Sequence, residues 1–507
     1  MADKRQITGR KELKPINRKV LRRVTLLLIL IVWGALYLPN LSNSPRWYGD
    51  ETITLGCGQD LVKGLFTNRA VWNTYINPQF CYQPGYVLLV GLASTLSDRE
   101  IAWPRLLNSL TALGIAWICV VVLGRRIGLS RALLIALLFL SYEQSVIHFR
   151  WIYAHNLTAL GLFLCFTAQC LRRSSKNSWQ SGAGLAIAAT AHPLALHGGI
   201  AAFLNQWNRP AAWIPSFSPP LIVGLACLVP IWLWNFDWWW NDFQALRDFY
   251  AGYTRELGAG WQWPVNFFRF LTHDWLHVLA GMALIPCLFT SIRPIAVAAL
   301  VLVALLTQNR QNLPVFYYQA VVVLPLLVAC LGWGLVWLQR RFLRRWRWTR
   351  WALFLLPLLM FLHVAPQVWS AGLLSRNDPW VVRSNQDHLR ASQWLNQNTR
   401  PEDLVICHWN IGWLLKCRTA DPMMSVAWEG LTTFTYEKGL SRERFRYSAD
   451  AREAKFFVLT DIDRIWTLGQ PNVSVLFNEQ TLSAWRPVFQ SGGVLVLARP
   501  ALLPQAQ

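Results

Sequence analysis

Apolar runs long enough to cross a bilayer recur from residue 24 to residue 370, punctuated by short clusters of Lys and Arg. A spanning helix needs about 20 apolar residues, and in lipid its backbone must satisfy its own hydrogen bonds. That pattern favours one fold class above others, a polytopic α-helical membrane protein. Composition agrees: 54% of the 507 residues are hydrophobic and 15% are charged, unlike a disordered chain. A net charge of +22 would also suit a nucleic-acid partner. Here, however, the charge sits in blocks beside apolar runs. Residues 1–23 hold nine Lys/Arg and Arg340 to Arg350 hold six Arg. Smaller clusters fall at Arg125, Arg126 and Arg131, and at Arg172, Arg173 and Lys176. This is the positive-inside distribution of a protein embedded in a lipid bilayer, and no nucleic acid is expected.

The spacing predicts about 11 spans. They are 24–39, 104–123, 131–147, 151–171, two within 181–207, 214–236, 275–292, 294–308, 314–338 and 350–370. Residues 1–23 form a basic cytoplasmic N-terminus, and no small-x-small cleavage pattern follows the first span. Residues 24–372 form the transmembrane catalytic domain, with external loops 40–103 and 237–274. Inside the first loop, Tyr86 to Leu96 is apolar but too short to cross, so it reads as an interfacial helix. His192-Pro193 and Gly198-Gly199 interrupt 181–207, and basic residues flank it on both sides; a hairpin of short spans follows. The second loop carries Asp237-Trp238-Trp239-Trp240-Asn241-Asp242, first of all an interfacial aromatic belt.

Past Ser375 the composition becomes polar, and 373–507 reads as a small extracytoplasmic α/β domain. Gln386 to Asn398 has a helical apolar face, and Leu404–Cys407, Lys455–Leu459 and Gly493–Ala498 read as strands. Four cysteines fall in polar segments outside the cytoplasm, where disulfides persist. Cys57 with Cys81, and Cys407 with Cys417, are therefore open to pairing, and no spacing suggests zinc fingers.

The sharpest local signal is Arg46-Trp47-Tyr48-Gly49-Asp50-Glu51, just after the first span. Folding does not require two adjacent acids at a membrane surface. Such a carboxylate can take a proton from an acceptor or hold a metal. It can equally sit in a solvated loop, with Asp50 as a helix N-cap.

Four segments in order resemble the GT-C superfamily of integral-membrane glycosyltransferases, especially the branch of protein O-mannosyltransferases and lipid A aminoarabinose transferases. Asp50-Glu51 opens the large first external loop. Gln83-Pro84-Gly85-Tyr86 stands where the family often has a His-Pro-Pro-like or Lys-Pro motif. Trp103-Pro104-Arg105-Leu106-Leu107-Asn108 opens span two, and Gly124-Arg125-Arg126-Ile127-Gly128 matches the cytoplasmic turn after it. The motifs cover residues 24–175, and the remainder matches in layout only.

The resemblance implies a transferase that takes a sugar from a polyprenyl-phosphate donor to an extracytoplasmic acceptor, with inversion. Asp50 matches the family's general base, and Glu51 would support it or help hold a metal. Glu143, in the turn after span three, matches a second external acid. The departing phosphate needs cations or donors at the headgroup level. Arg105, Arg150, His148, His155 and Arg310 lie at external span ends, where they either bind phosphate or snorkel. Tyr318 belongs to a segment that would line the lipid-phosphate groove. Gln83 replaces the family's His or Lys, which puts its substrate-binding role in doubt.

A divalent metal cofactor stays open, and His273 and His277, four apart, could share it. His192 and His197 sit in the broken hairpin, where they either pack within the bundle or line the cavity. The rival readings are a transporter or lipid flippase, for which related halves and mid-span charges are largely missing, and a non-catalytic scaffold. A bacterial inner membrane fits the long basic N-terminus, and a eukaryotic endoplasmic reticulum stays open as the alternative.

Overall fold

A computed structural model describes residues 18–65, 84–97, 99–171, 174–256, 263–307, 320–342, 349–370, 372, 381–433, 440–470 and 472–500. Helices α1 (Arg18–Tyr37), α2 (Gly49–Val62), α3 (Pro84–Leu96) and α4 (Ala102–Ile118) come first. After a π-helical turn at Cys119–Leu123 follow α5 (Gly124–Ile127), α6 (Leu129–Ser141), α7 (Glu143–His148), α8 (Ala154–Gln169), α9 (Ser175–Ala191) and α10 (Ala195–Gln206). Then come α11 (Trp213–Glu256), α12 (Trp263–Leu271), α13 (Trp275–Cys287), α14 (Arg293–Thr307), α15 (Leu324–Phe342) and α16 (Leu355–Trp369).

Among the described residues, three helices are long and apolar enough to cross a membrane: Lys19–Tyr37, Ala102–Ile127 and Pro210–Ala245. Several further apolar helices are shorter, among them α3, α6, α13, α14 and α16. α1 shows how such a helix divides its faces. Val20, Val24, Leu27 and Ile31 are exposed at helical spacing, while Ile29, Trp33 and Leu36 are buried against the bundle. The Trp33 indole donates to the Ser109 carbonyl of α4 at 2.8 Å. Small residues let backbones meet where α8 crosses α9: a Cβ built on Gly161 would lie 2.5 Å from the Gly184 carbonyl.

α3 matches the expected short helix at 86–96, with Leu88, Leu89 and Leu92 exposed along one side. The 181–207 stretch is two helices broken at His192–Leu194. There Pro193 has no N–H, and the His192 imidazole accepts from the Leu194 amide at 3.1 Å. Gly198 and Gly199 do not interrupt it further, since both lie inside α10. The segment expected as loop 237–274 is helical over most of its described length, because α11 runs on to Glu256. Only Asn235 breaks the helical dihedrals, and its side chain caps the resumed helix by accepting from Trp238 N at 3.0 Å. Beyond it, rings four apart stack, such as Trp239 on Phe243 at 5.5 Å.

The C-terminal domain has α17 (Asn385–Asn398) and strands β1 (Leu404–Ile406), β2 (Arg418–Ala420), β3 (Ala454–Leu459), β4 (Arg486–Ser491) and β5 (Val494–Ala498). They form one sheet in the order β2-β1-β3-β5-β4, parallel from β2 to β3 and antiparallel beyond. Two strands escape the residue pattern: β2 has three residues, and β4 is a half-exposed edge beginning Arg-Pro. Cys407 and Cys417 are unbridged, buried thiols that pack in the same small core. Cys81 lies outside the described residues.

This domain is fastened to the segment after α1. Trp47 N donates to Asn385 Oδ1 at 2.9 Å, Val382 N donates to Trp47 O at 3.0 Å, and Thr52 Oγ1 donates to Asn410 Oδ1 at 2.6 Å. Arg444 pairs with Asp242 of α11 through contacts of 2.9 and 2.6 Å.

One buried acid of this domain has a measurable consequence. Asp421 caps the helix Pro422–Trp428 through one oxygen, and its other oxygen is buried without a hydrogen-bond partner. Burial pushes its pKa up to about 8. Because the folded value exceeds the unfolded one, the folded state binds the extra proton between about pH 4 and pH 8, and this contribution to stability falls as pH rises through that window. Asp421→Asn keeps the cap and removes the charge. It is expected to raise the melting temperature at pH 8, with little effect at pH 4; scanning fluorimetry at both pH values checks this.

Candidate functional site

The acidic pair is divided by helix geometry, since adjacent residues on a helix point about 100° apart. Tyr48 occupies the N-cap of α2, and Asp50 is the second helical residue rather than the cap. Glu51 turns inward and is fully buried. Its Oε1 accepts from Arg105 Nε at 2.7 Å and from Ile152 N at 3.1 Å. Its Oε2 accepts from Arg105 Nη2 at 2.7 Å and from Tyr48 N at 3.3 Å. Asp50 stays half-buried on the first turn.

The two arginines expected at the phosphate face inward. Arg105 is fully buried, and beyond Glu51 it donates to the carbonyls of Leu41 at 2.7 Å and Pro45 at 2.8 Å. Arg150, also fully buried, donates to Leu36 O at 2.8 Å, Ser44 O at 2.7 Å and Pro39 O. Leu36 belongs to the last turn of α1, where a cation meets the negative end of the helix. Together the guanidiniums tie residues 36–45 to the bundle. As placed, they hold the segment that presents Asp50 and offer no solvent-facing surface to a substrate, which departs from the expectation.

The connector between α7 and α8 forms the facing wall. Trp151 Nε1 donates to Arg46 O at 2.8 Å, and Asn156 Nδ2 donates to the carbonyls of His148 and Trp151, each at 3.0 Å. Tyr48 meets Trp151 and Tyr153 at ring separations of 5.3 and 5.5 Å, and His148 meets Trp151 at 5.2 Å. The His155 and His192 rings lie 4.3 Å apart at a tilt of 37°, so the broken hairpin does reach this region. Burial, and then the neighbouring His273, push the His148 pKa down to about 3, so the ring is neutral at physiological pH.

Beyond His148 lies a group the residue pattern showed only in part. His273, Asp274 and His277 present ligand atoms all within 4.8 Å of one another. Asp274 caps α13, accepting from His277 N at 2.9 Å, with His277 Nδ1 at 3.0 Å and His273 Nδ1 at 3.7 Å from its carboxylate. The Tyr142 hydroxyl donates to the same carboxylate. Burial works against its ionisation, but the hydrogen bonds from His273, His277 and Tyr142 outweigh it and hold the carboxyl well below the usual range. The histidines stand out by their i, i+4 spacing; Asp274, between them, was not singled out in the sequence, and only the fold shows its place in the group. Glu143 begins α7 next to Tyr142, half exposed, with His363 of α16 at 3.9 Å. Gln83, Arg310 and Tyr318 lie outside the described residues.

The structure therefore gathers Asp50, Glu51, Arg105, Arg150, His148, His155 and Glu143 at one end of the helical body, beneath the C-terminal domain. Its fold is that of the GT-C glycosyltransferases, in agreement with the resemblance of the motifs. ArnT from Cupriavidus metallidurans, solved bound to undecaprenyl phosphate, superposes with a TM-score of 0.60 at 13% identity over 97% of this chain and 100% of that one. The Archaeoglobus fulgidus oligosaccharyltransferase in complex with Zn and sulfate gives 0.54 at 12% identity, over 94% of this chain and 73% of that one. The arabinofuranosyltransferase AftD from Mycobacteria gives 0.52 at 13% identity, over 95% and 40%. No family model and no curated protein matches the chain.

Proposed function

We propose that this protein is an integral-membrane glycosyltransferase that moves a sugar from a polyprenyl-phosphate donor to an extracytoplasmic acceptor. The observation that carries this reading is the half-buried Asp50 on the first turn of α2, in a GT-C fold, on a segment held by the Glu51–Arg105 pair and by Arg150. Asp50 takes the proton of the acceptor hydroxyl or amine. The acceptor's lone pair forms the new bond at the anomeric carbon while the bond to phosphate breaks on the opposite face, which inverts the centre. The electron pair leaves on the polyprenyl phosphate. Glu143, His148 and His155 lie beside this path, and the neutral His148 suits hydrogen bonding better than ion pairing. The reading includes about 11 spans, residues 1–23 in the cytoplasm, the domain 373–507 outside, and a bacterial inner membrane.

His273, Asp274 and His277 fit a divalent cation, since two imidazoles and one ionised carboxylate are a common zinc donor set. Such a cation would supply Lewis-acid stabilisation of the leaving phosphate. Elemental analysis of protein purified without chelators is expected to find about one divalent ion per chain, lost from the His273→Ala/His277→Ala variant. An unchanged metal content in that variant would remove this assignment.

Mass spectrometry of copurifying lipids tests the function. A polyprenyl-phosphate sugar enriched in Asp50→Asn, where turnover is blocked, is the expected result. Bulk phospholipid alone in both proteins, joined to transport activity, would favour the transporter.

A further inference from the structure

The opposite end of the helical body carries a cavity that includes none of the candidate site's residues. α6, α8 and α13 connect the two ends. Tyr142, His155 and Asp274 stand at the candidate site, and Arg126, Gln169 and Thr290 stand at the far cavity. The 16 residues of α8 alone separate them by about 24 Å.

The cavity measures about 570 Å³ and includes Arg126, Gln169, Asn205, Asn208, Arg209 and Arg293 in its wall. Gln169, Asn205, Asn208 and Arg209 also border an adjoining cleft of about 510 Å³, so the two share a wall. Among the described residues, no Asp or Glu borders either. The three arginines come from separate parts of the chain: Arg126 from α5, Arg209 from the connection between α10 and α11, and Arg293 from the first residue of α14. Arg126 and Arg293 are exposed, and neither has an ion-pair partner among the described residues. The N-terminus of α9, at Ser175, borders the adjoining cleft and adds the positive end of one helix, whereas at the start of α14 Pro294 has no N–H and the amides of Arg293 and Ile295 are already bonded within the chain. Leu204 and Trp207 line its rim and are 51% and 65% exposed, an apolar edge of the kind found at a membrane interface.

We propose that this cavity binds a phosphate-class anion, either the headgroup of an anionic phospholipid in the leaflet at that end or a soluble phosphate. A positive-inside charge bias would place arginines at this end, but it would not require a cavity where cations and side-chain amides converge with no acid among the described lining residues. Guanidinium forks and backbone N–H groups are the donors that phosphate oxygens take best. This site does not depend on the identity of the reaction at the other end.

The test compares Arg126→Gln/Arg293→Gln with Arg22→Gln/Arg125→Gln, which removes the same charge from exposed positions at the same end but outside the cavity. Native mass spectrometry of the full-length protein would be titrated with short-chain phosphatidylglycerol, phosphatidylcholine and inorganic phosphate. For a lipid site, phosphatidylglycerol is expected to bind more tightly than phosphatidylcholine, and the cavity variant to weaken it by about tenfold or more. The control variant should stay within about twofold, since neither of its arginines borders the cavity and exposed charges are screened. For a soluble-phosphate site, inorganic phosphate binds or displaces the lipid and shows the same dependence on the cavity arginines. Equal losses in both variants, or equal binding of both lipids with no binding of phosphate, would overturn the proposal. Thermal unfolding of each variant confirms folding, and single Arg126→Gln and Arg293→Gln variants carry the same comparison if the double variant unfolds.

Discussion

Asp50→Asn is expected to lower the turnover number by about 10²- to 10⁴-fold, the range for loss of a positioned general base. Asn keeps the size and the hydrogen-bonding atoms but cannot accept the proton. The fold should survive, because Asp50 lies half-buried on the first turn of α2 and outside the buried Glu51–Arg105 pair. Its stabilising effect on the helix N-terminus is about 0.3–1 kcal/mol. Turnover should therefore fall with little change in KM or melting temperature. A variant that keeps wild-type turnover on a defined polyprenyl-phosphate sugar would remove Asp50 from the chemistry.

The second large effect belongs to Glu51 and Arg105. Both side chains are fully buried and joined by two contacts of 2.7 Å. Removing one partner of such a pair strands the other charge and costs about 3–5 kcal/mol. Glu51→Gln and Arg105→Met are each expected to lower stability by that order, and the double variant by less than their sum. Denaturant melts of the four proteins would measure the coupling. The same cycle tests the role of Arg105. A framework residue loses stability and activity together. A phosphate ligand would instead raise KM in the Arg105 variant while the protein stayed folded. Arg105→Lys should rescue poorly in either case, because a point charge cannot reproduce two forked bonds and two further carbonyl contacts.

The helical body was readable from residue order because its signals are local. Exposed and buried stripes repeat within α1, the length of α3 follows from one apolar run, and the break at His192-Pro193 follows from a missing donor. In the C-terminal domain, β1, β3 and β5 were visible because buried strands are apolar throughout. β2 and β4 were not, since a three-residue strand and a half-exposed edge carry too little pattern. The helical continuation of α11 through the Trp-rich segment was missed because Trp density indicates an interface without indicating a backbone conformation.

For the site, sequence alone singled out Asp50-Glu51, the external histidines and the arginines at span ends, because ionisable groups beside apolar runs are conspicuous. It could not divide the labour among them. Glu51 meets an arginine 54 positions away, and Arg150 reaches carbonyls 106 and 114 positions before it. Only the tertiary structure decides which cations are consumed in holding the chain, because a guanidinium binds backbone carbonyls and phosphate with the same donors. The choice depends on which acceptor the fold brings within about 3 Å.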